Sequence, residues 1–331
     1  MTLAGPPTLA VEGLSILLRG PRGVVPVVED VSFEIRQGRT LGIVGESGAG
    51  KSLTAMAVLG LLPEAEVRGS IRLAGEELVG LDPSRLARVR GKAVGMVFQE
   101  PRQSFNPAFT VGEQIAETLR WHEGLGRRAA HTQAVELLRL AGIERAAERA
   151  GDYPHTFSGG MLQRAMIAMA IACRPLLLIA DEPTSALDVT VQAQILALLK
   201  RMQETIGMAM LFVSHDMGLI AEVCDDVAVM YAGQIVERAT TVDLFDRPRH
   251  PYTEGLLRSV PGIAPHRSDL YGIPGAMPTA GRMPSGCRFH PRCPHAIDAC
   301  NLAPLTLESI TSGQDARCLR ARDLALEGVA A

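Results

Sequence analysis

Residues 41–59 read LGIVGESGAGKSLTAMAVL, and this stretch decides the fold. The apolar run at 41–44 predicts a buried strand, and the apolar residues after position 52 predict a helix. Between them lies the pattern G-x-x-x-x-G-K-[ST], a phosphate-binding loop in the strand–turn–helix setting that it requires. Its members are Gly45, Glu46, Ser47, Gly48, Ala49, Gly50, Lys51 and Ser52.

The residue types of this loop explain what it binds. Glycines let the backbone curl, so that successive N–H groups point inward at phosphate oxygens. The N-terminus of the following helix adds a partial positive charge at the same place. Lys51 is then expected to reach the outer phosphates, and the hydroxyl of Ser52 to ligate Mg²⁺.

The composition argues against several classes of protein. A chain of 331 residues is long for one core, which predicts a large domain with an appendage. The net charge of −3 argues against a nucleic-acid surface, so no nucleic-acid partner is expected.

Residues 1–7 show no basic region followed by an apolar core, which predicts no signal peptide. The most apolar region, 165–180, is split by Arg174-Pro175, and neither half reaches the ~20 residues of a membrane span.

Hydrophobic periodicity places strands and helices in alternation along the chain. An antiparallel β region is predicted over 8–44, with further strands at 70–75, 94–98, 176–180 and 210–213 and a hairpin at 227–230 and 234–237. Helices are predicted at 111–121, 132–140, 159–172 and 189–202. This alternation predicts an α/β fold with a mainly parallel sheet that is covered on both faces.

Two shifts in composition predict the domain organisation. Helical spacing dominates from about residue 101 to 165, which predicts a helical subdomain inserted in the α/β domain. From about residue 246, proline, glycine and arginine increase sharply. We therefore predict a nucleotide-binding domain over 1–245 and a loop-rich extension with little core over 246–331.

Polar side chains follow three of the predicted buried strands. They are Gln99, the pair Asp181-Glu182, and His215. Because nucleotide sites in such sheets lie beyond the carboxyl ends of the strands, these residues are expected to converge with the phosphate loop. Asp181 suits contact with Mg²⁺, Glu182 is placed to polarise an attacking water, and His215 to contact the γ-phosphate.

A second anion cradle lies at 158–163. Ser158 is followed by Gly159 and Gly160, which open the N-terminus of a predicted helix to an anion, and Gln163 lies one turn later. One chain needs only one such cradle for each nucleotide. The second cradle therefore indicates that a partner subunit's nucleotide is held across a dimer interface.

These motifs, in this order, resemble the ATPase subunits of ABC transporters over roughly residues 8–240. The resemblance implies a RecA-like P-loop core that binds ATP and Mg²⁺, with Ser52, Gln99 and Asp181 near the metal. It implies that Glu182 is the catalytic carboxylate, assisted by Gln99 and His215. Residues 158–163 would be the signature that faces the partner's ATP, and 185–188, ending at Asp188, the D-loop.

A narrower resemblance is carried by residues 96–101, 104–107, 111–115, 153–161 and 250–257. These segments resemble the oligopeptide/dipeptide (and nickel) importer branch. The branch implies peptide import powered from the cytoplasmic face of the inner membrane, with the ATPase as a peripheral subunit. Implied partners are a second, related ATPase subunit, two transmembrane permease subunits that dock after Gln99, and an extracytoplasmic solute-binding protein.

Other functions stay open at this point. Within the transporter reading, nickel or another small solute is an alternative cargo. A soluble ABC-type ATPase of DNA repair or translation would predict a basic face, a coiled-coil insertion or a second cassette, and the sequence shows none of these. An iron–sulfur redox protein is opposed by the full set of ATPase motifs.

Four cysteines cluster in the extension: Cys287, Cys293, Cys300 and Cys318. Clustered thiols in a proline-rich segment predict a metal staple, and thiolates suit an iron–sulfur cluster or zinc. Their spacing lacks the paired C-x2-C knuckles of structural zinc sites. It resembles the cysteine motif of peptide-importer ATPases, some of which hold a four-iron cluster, so a [4Fe–4S] cluster is the prediction. Zinc and free thiols are the alternatives.

One departure from the family pattern gives a test. The family places an aromatic residue ahead of the phosphate loop to stack on adenine, and Leu18 stands there in this chain. Stacking on a base contributes roughly 1–3 kcal/mol. We predict that Leu18→Tyr lowers the dissociation constant for ATP, measured by equilibrium binding. An unchanged constant would contradict the placement of Leu18 beside adenine.

Overall fold

The computed structural model describes residues 5–20, 23–185, 187–260, 271–302 and 304–329. The described strands are β1 (Leu9–Gly20), β2 (Gly23–Ile35), β3 (Thr40–Val44), β4 (Ala65–Leu73), β5 (Glu76–Glu77), β6 (Val94–Val97), β7 (Leu177–Asp181), β8 (Ala209–Ser214), β9 (Asp226–Tyr231), β10 (Gln234–Thr240), β11 (Glu308–Thr311) and β12 (Gln314–Ala316).

Helices and strands alternate through the middle of the chain, as the sequence predicts. The described helices are α1 (Lys51–Val58), α2 (Pro83–Val89), α3 (Pro101–Ser104), α4 (Val111–Glu123), α5 (Arg127–Leu140), α6 (Ala146–Arg149), α7 (Gly159–Ala170), α8 (Val189–Ile206), α9 (Met217–Val223), α10 (Thr241–Asp246) and α11 (Pro251–Arg258). Within the described ranges, no helix combines the length and the apolar character that crossing a bilayer requires.

The chain packs as two compact units. The first contains the described residues within 1–35, 39–79 and 212–331, and the second those within 36–38 and 80–211. This is a division by packing. The division of the chain at residue 245 into an ATPase domain and an extension stays a prediction.

The first unit opens with the predicted antiparallel region. β1 pairs with β2 and β4, and the sheet has the order β2-β1-β4-β5. Leu9, Leu14 and Ile16 of β1 are fully buried, which matches a strand with one face on the core. β4 begins at residue 65, earlier than predicted. The sequence pattern missed its first half because the residues there give no continuous apolar signal.

A second sheet of the first unit carries the phosphate loop. β9 and β10 form the predicted hairpin, and β3 runs parallel to β9 with Val44 opposite Val229. On the far side of β10 lies β12, with Glu237 opposite Ala316. β3 is buried along its whole length, so its apolar run reflects burial on both faces.

The expectation of little core after residue 246 is wrong. Tyr252 and Phe289 are buried to 0% and 2% exposure, and both rings pack on Tyr231 of β9. The ring centroids lie 4.6 Å and 5.2 Å from that of Tyr231. Aromatic rings bury large apolar areas, so this cluster packs the C-terminal chain against β9 despite its many prolines.

The second unit combines a parallel strand pair with helices. β6 and β7 pair in register, with Val97 opposite Ala180. Gly95 of β6 lies under α7, because a Cβ there would meet the carbonyl oxygen of Ala170 at 2.1 Å. α5 begins five residues earlier than predicted. The sequence pattern missed its first turn because that turn is mostly exposed and has no apolar periodicity.

Glu237 joins three segments of the first unit. Its carboxylate is fully buried and accepts from the backbone N–H groups of Arg249 and His250, at 2.7 Å and 2.9 Å. It also accepts from the side-chain amide of Gln314 at 3.1 Å. One side chain of β10 thereby fixes the chain just ahead of α11 and the strand β12.

We predict that Glu237→Ala lowers the free energy of unfolding by about 3 kcal/mol or more, because buried donors left without acceptors cost about 1–3 kcal/mol each. The midpoint of urea unfolding measures this change. Glu34→Ala, at an exposed position of β2, is the matched control and is expected to shift stability by less than about 0.5 kcal/mol. Equal effects of the two changes would contradict the assignment.

Candidate nucleotide-binding site

The phosphate loop joins β3 to α1 in the first unit. Gly50 has a φ of 103°, a conformation that favours glycine, and lies directly ahead of the first helical residue. Gly45 is required by close packing, since a Cβ there would meet the carbonyl oxygen of Met230 at 2.1 Å. The backbone N–H of Gly233 donates to the carbonyl of Ala49 at 2.9 Å. The turn of the β9–β10 hairpin therefore supports the loop from one side.

The two side chains of the loop that are predicted to meet phosphate and Mg²⁺ lie at the start of α1. Lys51 is 5% exposed, and its Nζ donates to the carbonyl oxygens of Gly45 at 2.8 Å and Glu46 at 3.1 Å. Ser52 follows it in the first turn of the helix and is half-buried. The amine thus lies across the curled backbone, where it is placed to meet phosphate oxygens.

The first unit also contains Leu18 and His215. Leu18 is half-buried in β1, opposite Val25 of β2 and Ala65 of β4. His215 lies between the end of β8 and α9, and Asp216 caps that helix by accepting from the N–H of Gly218 at 2.7 Å. The cap fixes the turn that carries His215.

In the second unit, Gln99 and Glu182 form a direct pair. The Nε2 of Gln99 donates to the Oε2 of Glu182 at 3.1 Å. The pair follows from the register of β6 and β7, whose carboxyl ends lie side by side. Asp181 is the last residue of β7 and is 7% exposed.

Glu182 has a φ of 45°, which is uncommon for a residue other than glycine. Such conformations cost on the order of 1–3 kcal/mol and cluster at functional sites. The carbonyl of Glu182 accepts from the N–H of Ser185 at 3.3 Å, which closes the turn after β7. The strained turn directs the side chain of Glu182 to Gln99.

The second cradle forms the N-terminus of α7, as predicted. The hydroxyl of Ser158 accepts from the N–H of Met161 at 3.3 Å. Space is open beside Gly159, where an added Cβ would meet nothing within 4 Å. Gln163 is 2% exposed, and its Nε2 has no hydrogen-bond partner among the described residues.

The predicted D-loop is described in part. Asp188 caps α8 by accepting from the N–H of Val191 at 3.0 Å. A Cβ on Gly160 would lie 3.0 Å from Val191, so α7 and α8 approach each other closely at this point. Residue 186 of the predicted D-loop lies outside the described residues.

Two family profiles match the chain: "ABC transporter" over residues 28–185 and "Oligopeptide/dipeptide transporter, C-terminal region" over 236–300. A Brucella abortus (strain 2308) protein named as a peptide import ATP-binding protein is 46% identical over 96% of this chain and 98% of its own length. The chain belongs to the ABC transporter ATP-binding protein family. The predicted family and α/β fold class are confirmed.

Two further relatives of this ABC transporter protein extend the comparison. The oligopeptide transport ATP-binding protein AppD of Bacillus subtilis (strain 168) is 46% identical over 89% of this chain and 90% of its own. A solved dimeric structure of the ATP-binding cassette MJ0796, in a post-hydrolysis state bound to ADP and Pi, is similar with a TM-score of 0.63. It is 26% identical and covers 70% of this chain and 98% of its own.

The four cysteines of the ABC transporter protein's C-terminal region line a single cavity. Cys287, Cys293, Cys300 and Cys318 share this cavity with His250. Burial raises the pKa of Cys293 to about 11 and that of Cys318 to about 12, so both thiols are protonated at neutral pH in this arrangement. Among the described residues, no group of three or more His, Cys, Asp or Glu side chains is arranged to hold a metal ion. The predicted iron–sulfur cluster and its zinc alternative are therefore not supported.

Three residues near the phosphate loop and the cavity were given no role on the basis of the sequence. The hydroxyl of Tyr252 and the guanidinium of Arg292 both bind Glu46 of the phosphate loop. His250 is 1% exposed, and burial lowers its pKa to about 3, so it is neutral. The segment at 250–257 was a visible signal for Tyr252 and His250, but no local pattern marks Arg292.

Proposed function

We propose that this chain is the ATP-hydrolysing subunit that powers the import of di- or oligopeptides across the bacterial cytoplasmic membrane. The observation that carries the proposal is the pair of Gln99 and Glu182 at adjacent strand ends, in a chain of the ABC transporter family. The match of residues 236–300 to the oligopeptide/dipeptide C-terminal region supports peptides as the cargo rather than nickel or another small solute.

In the proposed reaction, each of the candidate side chains has a separate role. Lys51 and the loop N–H groups hold the β- and γ-phosphates. Ser52, Gln99 and Asp181 would hold Mg²⁺, which would neutralise phosphate charge when bound. Glu182 accepts a proton from the attacking water, while the amide of Gln99 orients its carboxylate. His215 would contact the γ-phosphate.

We further propose that a second ATPase subunit, related to this chain but different from it, completes each nucleotide-binding site. The open N-terminus of α7 supports this, since Ser158 and Gly159 are exposed and suit an anion. The similar cassette MJ0796 is solved as a dimer with ADP and Pi. Asp188, at the start of α8, would lie beside the partner's nucleotide.

The membrane partners would dock on the second unit. Three aromatic side chains of this unit are exposed: Phe98 at 39%, Phe109 at 52% and Tyr153 at 44%. Exposed aromatic residues are typical of protein interfaces. We propose that two permease subunits bind here, that a solute-binding protein delivers the peptide, and that the chain is peripheral on the cytoplasmic face of the inner membrane.

A [4Fe–4S] cluster at the four cysteines stays a prediction. The four cysteines line one cavity, but among the described residues no group of side chains is arranged to hold a metal ion. Its role would be structural, because four thiolates on one cluster would tie the segments around residues 287–300 to residue 318. No step of ATP hydrolysis depends on it.

We predict that Glu182→Gln retains ATP binding but hydrolyses ATP more slowly by a factor that corresponds to about 3–4 kcal/mol, as commonly follows the loss of one transition-state group. Phosphate release by the assembled transporter measures turnover, and equilibrium binding measures ATP affinity. Glu144→Gln makes the same chemical change at an exposed position of the second unit and serves as the control. Near-normal turnover of the Glu182 variant would refute the proposed reaction.

Iron analysis decides the cluster prediction. Protein purified without oxygen is expected to be brown with about four irons per chain, and Cys318→Ser to lose most of this iron. Cys173→Ser is the matched control, because Cys173 lies in the second unit, outside the cavity. A colourless, iron-free preparation would overturn the cluster prediction but would not contradict the proposed ATPase function.

A further inference from the structure

Glu46 of the phosphate loop is held twice by the C-terminal chain. Its backbone N–H donates to the hydroxyl of Tyr252 at 2.8 Å. Its carboxylate accepts from the Nη1 of Arg292 at 3.0 Å. Both partners lie more than 200 positions further along the chain. Arg292 directly precedes Cys293 in residues 287–300, the cysteine segment, which also carries Cys287 and Cys300.

Arg292 itself is fixed in place. Its side chain is 6% exposed, against 30% for Glu46. Its Nε donates to the carbonyl of Pro274 at 2.8 Å, and its Nη2 to the carbonyl of Ile273 at 3.3 Å. A planar guanidinium anchored by several hydrogen bonds loses little entropy in forming one more. The ion pair with Glu46 is therefore preformed.

The position of Glu46 makes this pairing matter for phosphate binding. Its carbonyl oxygen accepts from the Nζ of Lys51 at 3.1 Å, so Glu46 directly contacts the phosphate-binding lysine. A carboxylate next to a bound triphosphate repels it, since like charges at short range destabilise each other. An unpaired Glu46 would weaken the field that the loop N–H groups and Lys51 create.

We propose that Arg292 is a positioning residue for nucleotide binding: it neutralises the carboxylate of Glu46 and holds it away from the phosphates. Tyr252 fixes the backbone of the same residue. ATP affinity then depends on the fold of the cysteine segment, although none of the proposed nucleotide-binding residues lies in it. This inference rests on the proposed binding of ATP by the loop.

The experiment measures the dissociation constants of MgATP and MgADP for the full-length chain. Arg292→Gln is expected to weaken MgATP binding about tenfold, which corresponds to about 1.4 kcal/mol. The effect should be smaller for MgADP, which carries less negative charge, and smaller for both nucleotides at high salt, because salt screens partly exposed charges. Arg292→Lys keeps the positive charge and is expected to stay within about threefold of the parent chain.

A second substitution separates a charge effect from a loss of structure. Glu46→Gln in the Arg292→Gln background removes the unpaired carboxylate and is expected to restore most of the lost affinity, as a double-mutant cycle detects. A purely structural role of Arg292 would not be rescued in this way. Additive losses in the double variant overturn the proposal.

Arg317 provides a matched control in the same C-terminal chain. It is buried to a similar degree, with 5% exposure of its side chain, and pairs with Asp30 at 3.1 Å. Arg317→Gln is expected to lower the temperature of unfolding but to leave nucleotide affinity unchanged. Equal loss of affinity in the Arg317 and Arg292 variants overturns the proposal, as does unchanged affinity in the Arg292 variant. A parent chain that binds no ATP would instead refute the proposed function.

Discussion

The phosphate-binding loop lies directly against the backbone of the β9–β10 hairpin, and the first unit depends on this contact. A side chain at Gly45 would collide with the carbonyl of Met230, so only glycine permits the approach. The same hairpin carries Tyr231, which packs on the aromatic rings of the C-terminal chain, and Glu237, which fixes the chain ahead of α11. The loop and the C-terminal chain thus both pack on one hairpin, and they also contact each other through Glu46.

In the second unit the pair of Gln99 and Glu182 depends on a different constraint, the parallel register of two strands. Because β6 and β7 end together, an amide and a carboxylate that are 83 positions apart come within hydrogen-bond distance. The left-handed backbone at Glu182 adds local strain. Strain of this kind persists where the surrounding structure enforces it, and here the turn closed by Ser185 does so.

Sequence motifs predicted the core of both units because each motif combines a local backbone requirement with a strand or helix end. The phosphate loop, the cap at Ser158 and the strand end at Asp181 are features of this kind. The contact between Arg292 and Glu46 joins positions 246 apart and leaves no periodic trace, so the sequence could not reveal it. Likewise, a density of proline and glycine after residue 246 masked the burial of Tyr252 and Phe289, since apolar periodicity is absent where the chain turns often.

The distance along the chain between Glu46 and Arg292 has a consequence for biosynthesis. A ribosome makes the chain from the N-terminus at about 5–20 residues per second, so the phosphate loop emerges well before its arginine. During that interval the carboxylate of Glu46 cannot form its pair with Arg292. A nascent or C-terminally truncated chain would therefore hold nucleotide weakly, and full affinity would mark a chain whose synthesis and folding are complete.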